Sequence, residues 1–563
     1  MKIYFVFLLY IISTAATAQS NSSLQKKTKP QLYYQKVVEY LASDELEGRL
    51  TGMPGEKKSA EFIREEMKSA GLTSPEGLNY LQTFKYTYLR LPTSTTKMML
   101  DMVDSGALYT FGKDFLVMSK SCDTCNTFGS VFDAGYGLNL SENNSYGKYT
   151  QKDSGKVFII KMGHPNKENP HSKLGLQATV SNKVKWALEK GASGIIFHNP
   201  DGFDNEPTGK LKKNAKPSGV PVFFAKTPIT NISKIMRIGM NSNVAKIQKT
   251  GHNVIGMVKR NERKKYLVIG AHHDHIGKAE MGNSRAQGQE IHNGADDNAS
   301  GVAMMLHMAK RLKNHPRFRK YNLIFVAFSG EELGLLGSKY FVNNCPIELS
   351  RILAMMNFDM VGRLNTQTHT AVINGIGTSP YWGKRIKRIK TDTSKLKLNT
   401  TISGIGASDH SSFYLKDIPA VHLFSGQHRD YHMPEDDVEK INYIGMEKLE
   451  DYTVKLLCKI PRKRLKFTPT KNVSKSSMGF KVTLGVMPDY TFSGDGMRLD
   501  NVSDGKPASI AGLRRNDVIV KMGTHVVGNV EEYMHALSHY NKGDETIVTI
   551  SRNGQTIEKK VKF

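Results

Sequence analysis

Cysteine and tryptophan are scarce in this chain, numbering four and two among 563 residues. Cys122, Cys125, Cys345 and Cys458 contain only one close pair, so a four-ligand thiolate site built from two paired motifs is excluded. Cys122-Asp-Thr-Cys125 leaves three readings: a redox pair, half a metal site, or a local disulfide. A thioredoxin-like pair opens a helix, whereas residues 126–131 read as a loop entering a strand, and export favours the disulfide. Long apolar runs are missing as well, except at the N-terminus. There Lys2, an apolar stretch over residues 3–12 and Ala16-Thr17-Ala18 have the pattern of a signal peptide, residues 1–18, too short to span a bilayer. No cysteine follows the cleavage point, so a lipid anchor there is not indicated. The expected product is exported, periplasmic or extracellular, with no transmembrane segment after cleavage.

Acidic residues are also in deficit, 52 against 79 lysines and arginines, for a formal charge of +27. The basic runs at residues 259–265, 384–390 and 462–464 lack interleaved stacking aromatics and any base-reading motif. Nucleic acid is therefore not an expected partner. A lysine-rich solvated surface, drawn to acidic groups of a cell envelope, is the expectation. At this length two to four domains are expected.

Against these absences stand five metal-ligand side chains, each at a strand end or in a loop. They are His272 in Ala-His-His-Asp-His, Asp296 in Gly-Ala-Asp-Asp-Asn, Glu332 in Ser-Gly-Glu-Glu-Leu-Gly, Asp359 in Asn-Phe-Asp-Met and His432 in Tyr-His-Met-Pro-Glu. Two imidazoles and three carboxylates suit zinc without thiolate, and five ligands exceed what one tetrahedral ion needs. They fit two ions sharing a bridging carboxylate, as in two-metal hydrolases. Glu331, beside one ligand, is left for proton transfer. The apolar runs at residues 266–270, 322–328, 353–358 and 419–424 predict buried parallel strands. Between the first two, Val302, Met305, Leu306, Ala309 and Leu312 predict a helix behind the caps Asn298 and Ser300. Such alternation predicts an α/β sheet with its site at the carboxyl ends of the strands.

These motifs resemble the co-catalytic di-zinc aminopeptidases related to glutamate carboxypeptidase and the transferrin receptor ectodomain. The resemblance covers residues 31–91 and 253–458. It implies a zinc exopeptidase-like fold and two Zn²⁺ ions per chain. His272 and Asp359 would serve separate ions, Asp296 would bridge them, and Glu332 and His432 would complete the shells. It further implies Glu331 as general base and Asp274 as the carboxylate that orients His272. Asp296-Asp297 matches a dipeptide that the family holds in cis geometry. His273 and His275 are read as neighbours and not ligands. His410 resembles a segment near the family's substrate pocket, with a structural hydrogen bond as its alternative role.

The expected order is a first catalytic segment (31–108), an insert (109–250), a second catalytic segment (251–458), a linker (459–477) and a last domain (478–563). Strand and helix patterns in the insert resemble a protease-associated domain. Residues 504–521, with a groove helix over 530–537, resemble a PDZ domain. Its loop at residues 485–489 carries Pro488, which has no backbone donor, and Asp489, which would repel a terminal carboxylate. The expected function is an exported zinc aminopeptidase acting on peptides, whose last domain takes a peptide or protein ligand. Carboxypeptidase or glutaminyl-cyclase-like chemistry on the same scaffold and a non-catalytic peptide-binding protein are the competing readings.

Overall fold

The computed structural model describes residues 27–103, 106–166, 174, 177–203, 206–212, 215–281, 283–286, 288–389, 396–470, 482–488, 492, 494–502, 505–528 and 530–563. The expected signal peptide and residues 471–477 of the expected linker lie outside them. After the helices Lys29–Leu41 and Pro54–Ser69 come β1 (Leu81–Pro92), β2 (Lys97–Met102) and β3 (Gly106–Tyr109). The next strands are β4 (Phe115–Val117), β5 (Thr124–Gly129), β6 (Val131–Asp133), β7 (Val157–Lys161), β8 (Gly194–His198) and β9 (Val222–Ala225). A long strand, β10 (Ile235–Val258), leads back to β11 (Tyr266–His272), β12 (Asn322–Phe328), β13 (Ile352–Phe358), β14 (Thr370–Asn374), β15 (Lys397–Thr400) and β16 (Ala420–Phe424).

The largest sheet has the order β15-β14-β16-β13-β11-β12-β10-β2-β3, and its centre, β12-β11-β13-β16, is parallel. Every residue of β11, β12 and β13 is buried, which is why these strands read as continuous apolar runs and not as alternating ones. Their side chains still alternate between faces. Leu267, Ile269, Leu323 and Phe325 pack in one core with the helices Lys29–Leu41, Gly301–Asn314 and Tyr443–Leu457. Val268, Ile324, Val326 and Met355 pack in another with Phe341, Val342 and Phe413. The result is a sheet covered on both sides, as expected.

The insert has its own five-stranded sheet, β4-β9-β8-β7-β6, with the helix Val180–Glu189 capped by the Thr179 hydroxyl. The expected boundary near residue 250 is crossed by a single strand. The first half of β10 pairs with β2 and β5, and the second half pairs with β1 and β12. Cys122 and Cys125 form a disulfide at the start of β5, and Cys345 and Cys458 are free.

The last domain holds β17 (Val486–Pro488), β18 (Met497–Val502), β19 (Val518–Met522), β20 (His525–Val526), β21 (Glu545–Arg552) and β22 (Gln555–Lys562). Its helix Val530–Leu537 has the expected bounds. Asp489 of the expected ligand loop lies outside the described residues.

The start of the expected linker is not free chain. Ile460 and Leu465 are buried in the catalytic core. Thr468 N donates to the Thr378 carbonyl at 2.9 Å, and Thr470 N donates to the Tyr414 hydroxyl at 3.0 Å. Its basic and proline residues concealed a stretch that closes the second core segment. A chain ending after Thr470 is expected to keep the catalytic melting temperature. One ending after Leu465 is expected to melt roughly 5 °C lower, from the loss of a few hydrogen bonds and the Phe467–Tyr414 ring contact. Differential scanning calorimetry of the two truncations checks this.

Candidate metal centre

The parallel strands end at one rim and deliver the polar residues there. His272 is the last residue of β11, Asp359 follows β13, and Glu331 and Glu332 follow β12. Around His272 the geometry is tight. Its Nε2 lies 3.3 Å from Asp359 Oδ1 and 3.4 Å from Asp297 Oδ1. Its Nδ1 lies 3.1 Å from the Asp274 carbonyl oxygen. A carbonyl only accepts, so Nδ1 carries a proton, and Nε2 is the nitrogen that faces the carboxylates.

A second group faces the other oxygen of Asp297. His432 Nε2 is 3.2 Å from Glu332 Oε2 and 3.4 Å from Asp297 Oδ2. His275 Nδ1 is 2.9 Å from Glu332 Oε1 and 3.8 Å from Asp297 Oδ2. His432 Nδ1 donates to the Asn283 carbonyl at 3.0 Å, again leaving Nε2 free to ligate. Two clusters of potential ligand atoms therefore share one residue: His272, Asp297 and Asp359 on one side, and His275, Asp297, Glu332 and His432 on the other.

The shared residue is Asp297 and not Asp296, which corrects the expectation by one position. Asp296 turns the opposite way. Its Oδ1 accepts from Ser300 Oγ at 2.9 Å and Gly362 N at 2.6 Å, and its Oδ2 lies 3.2 Å from His428 Nε2. The cis peptide likewise joins Asp297 to Asn298, one bond later than expected. Asp436 Oδ2 fixes the loop by accepting from the backbone N–H groups of both Asp296 and Asp297 at 3.0 Å. Gly294 opens the loop at φ +58, where an added Cβ would stand 2.1 Å from the Asp297 carbonyl oxygen. Asn298 caps Gly301 N at 3.0 Å, whereas the Ser300 hydroxyl serves Asp296 instead of the helix.

The Asp274 backbone carbonyl lies 3.1 Å from His272 Nδ1 and its carboxylate Oδ1 lies 3.8 Å from the same nitrogen. That carboxylate accepts from Thr51 Oγ1 at 2.9 Å and from Glu331 N and Glu332 N at 3.1 and 3.4 Å, anchoring the Glu331-Glu332 turn. His273 is held by Ser59 and the His252 carbonyl, away from the centre, as expected. His275, expected as a mere neighbour, joins the second group. Its signal, a third histidine in one short run, was present in the sequence but had no strand register to place it. His410 is buried beside His422, ring centroids 5.1 Å apart, with neither ring nitrogen hydrogen-bonded among the described residues. His428 and Asp436 were missed, since neither lies in a motif with ligand spacing.

The centre gathers more negative charge than its neighbours neutralise. Burial, then the carboxylate of Glu332, holds the Asp274 carboxyl up to about 7, against the pull of His272. Burial and then Asp296 push Asp436 up to about 7. Burial would lower His272, yet Asp359, Glu331 and Asp297 hold it well above the usual imidazole range. Burial, Glu332 and Asp359 raise Glu331 while His272 opposes them. The wholly buried Arg49 spends its guanidinium on the carbonyls of Leu41, His273, Asn293 and Gly294. Imidazole and carboxylate donors aimed at two points, around buried carboxylates short of counter-charge, fit two divalent cations.

Residues 253–457 match the model of peptidase family M28, and residues 468–563 match that of the PDZ domain. The chain is similar to the aminopeptidase YwaD of Bacillus subtilis, 24% identical over 473 residues, covering 81% of this chain and 90% of that protein. It is 32% identical over 290 residues to a probable leucine aminopeptidase 2 of Aspergillus fumigatus, covering 48% of this chain and 51% of the relative. An aminopeptidase of Pseudomonas aeruginosa is 24% identical over 350 residues, 58% of this chain and 56% of its own. The chain thus spans about half the length of these last two. Among solved structures, BSAP, described as a zinc aminopeptidase from Bacillus subtilis, aligns at a TM-score of 0.43 and 22% identity, covering 77% of this chain and 95% of that one. Ligand geometry and family match fall on the same segment: residues 253–457 form a peptidase M28 segment, a metallopeptidase segment that is followed by a PDZ domain.

Proposed function

We propose that this protein is a zinc aminopeptidase that releases N-terminal residues from peptides, with Asp297 bridging two ions. One observation carries the reading: the two oxygens of Asp297 face two separate ligand groups. His272 and Asp359 would hold one ion, and Glu332 and His432 the other, with His275 bracing Glu332 from behind. Bound zinc would supply Lewis acidity, lowering the pKa of water and polarising the scissile carbonyl. The chain's own part is positioning and proton transfer. Glu331 precedes Glu332 with its backbone N–H tied to Asp274, and its carboxylate would take a proton from the attacking water and return it to the leaving amine.

The names of the relatives support an aminopeptidase. A carboxypeptidase needs a free cation for the substrate's terminal carboxylate, and Arg49 and Arg363 are engaged already. Arg363 Nη2 lies 3.0 Å from Asp430 Oδ2. A glutaminyl-cyclase-like reaction with a single ion would leave one of the two ligand groups idle. The leader-like residues 1–18 and the Cys122–Cys125 disulfide support export, and the expected protease-associated insert would limit access to the site. No helix among the described residues is long and apolar enough to cross a membrane. The PDZ domain supports a peptide ligand added as a strand.

Replacing Asp297 by Asn is expected to remove most metal from both positions and lower kcat/KM by roughly a hundredfold or more. Asp296→Asn is expected to keep close to two ions, with activity within about tenfold of wild type. Metal content by plasma emission beside hydrolysis of an aminoacyl amide reads both. Equal loss in the two variants returns the bridge to an open question between the two positions.

Glu331→Gln is expected to lower kcat by roughly 10²–10⁴ with metal content unchanged. Glu332→Gln is expected to lose metal along with activity. A Glu331→Gln enzyme with wild-type turnover would overturn Glu331 as the general base, whereas wild-type protein with bound metal and no turnover would favour the non-catalytic binding protein.

A further inference from the structure

A second imidazole cluster lies in the C-terminal domain. His525 is on β20, His535 is on the helix Val530–Leu537, and His539 follows one turn later. The spacing of four residues puts His535 and His539 on one side of that helical turn. Ring centroids are 4.4 Å apart for His525 and His539, 4.7 Å for His535 and His539, and 5.9 Å for His525 and His535. One nitrogen from each ring lies within 4.8 Å of the others. His539 Nδ1 is 2.9 Å from the His535 carbonyl oxygen, which only accepts. Nδ1 is therefore the protonated nitrogen and Nε2 keeps its lone pair. His525 and His535 are half-buried and His539 is exposed, so a dissolved ion can reach them.

We propose that His525, His535 and His539 form a further metal site, for a divalent transition ion of the zinc, nickel or copper kind, separate from the Asp297 centre. Three neutral imidazoles are a borderline donor set that excludes magnesium and calcium. A tetrahedral zinc ion needs its nitrogens roughly 3.3 Å apart, so modest rotations of the rings bring the cluster to ligand spacing. Three protein donors leave a fourth position for water or an outside ligand. The ion ties β20 to the C-terminal end of the helix expected to wall the peptide groove. Its binding therefore stabilises the folded domain by mass action.

The test uses the untagged full-length chain carrying its tightly held metal, titrated calorimetrically with Zn²⁺ alone. Wild type is expected to take up one further ion per chain, and its PDZ domain is expected to melt several degrees higher. The His535→Ala/His539→Ala variant is expected to take up none while hydrolysing peptide substrate as wild type does. His539→Gln, which keeps a polar group of similar size, is expected to weaken that uptake roughly tenfold or more and serves if the double variant does not fold. Absence of further uptake by wild type overturns the proposal. So does uptake unchanged in His539→Gln.

Discussion

The catalytic segment is arranged around one carboxylate placed between two sets of nitrogen and oxygen donors. Asp297 meets His272 and Asp359 through one oxygen and the His432 group through the other. Neither set is complete without it. The surrounding loops have one shared task, to hold this carboxylate still in a place where buried like charges repel. Asp436 binds the two successive backbone N–H groups of the loop, and Gly294 makes the turn that admits it. Asp296, next to the shared residue, is turned outward to Ser300, Gly362 and His428 and locks the same loop from the far side.

The sheet explains why so few residues suffice to build this centre. Four parallel strands bring their carboxyl ends to one rim, and each contributes through its last residue or the loop beyond. Burial of both faces makes the strands rigid, which matters because ligand positions must hold within fractions of an ångström. Asp274 links two of these deliveries. Its carbonyl orients His272 at the end of β11, and its carboxylate receives the backbone of Glu331 and Glu332 after β12. The proposed base and the proposed ligands are thus positioned by the same residue.

Much of this was legible in the sequence because the signals were of the right kind. Apolar runs such as Asn322–Phe328 announce doubly covered strands, and polar residues directly after them mark the rim. His272, Glu332, Asp359 and His432 each end such a run or lie in the loop beyond it, and all four come together around Asp297. Asp296 and Asp297 are chemically identical neighbours, and only the backbone path of the loop decides which one faces inward. The role of His275 depended on a three-residue turn whose direction no periodicity encodes. Asp436 and His428 act through contacts distant in sequence. The stretch around Thr468 and Thr470 has a linker's composition but packs through backbone hydrogen bonds, which composition does not register.

The central claim is that one carboxylate joins two metal positions, and X-ray anomalous scattering at the zinc edge from crystals of the zinc-loaded protein tests it most directly. The account predicts two anomalous peaks, roughly 3.5–4 Å apart, flanking the two oxygens of Asp297. A single peak, or a second peak seated between Asp296 and His428, would contradict it.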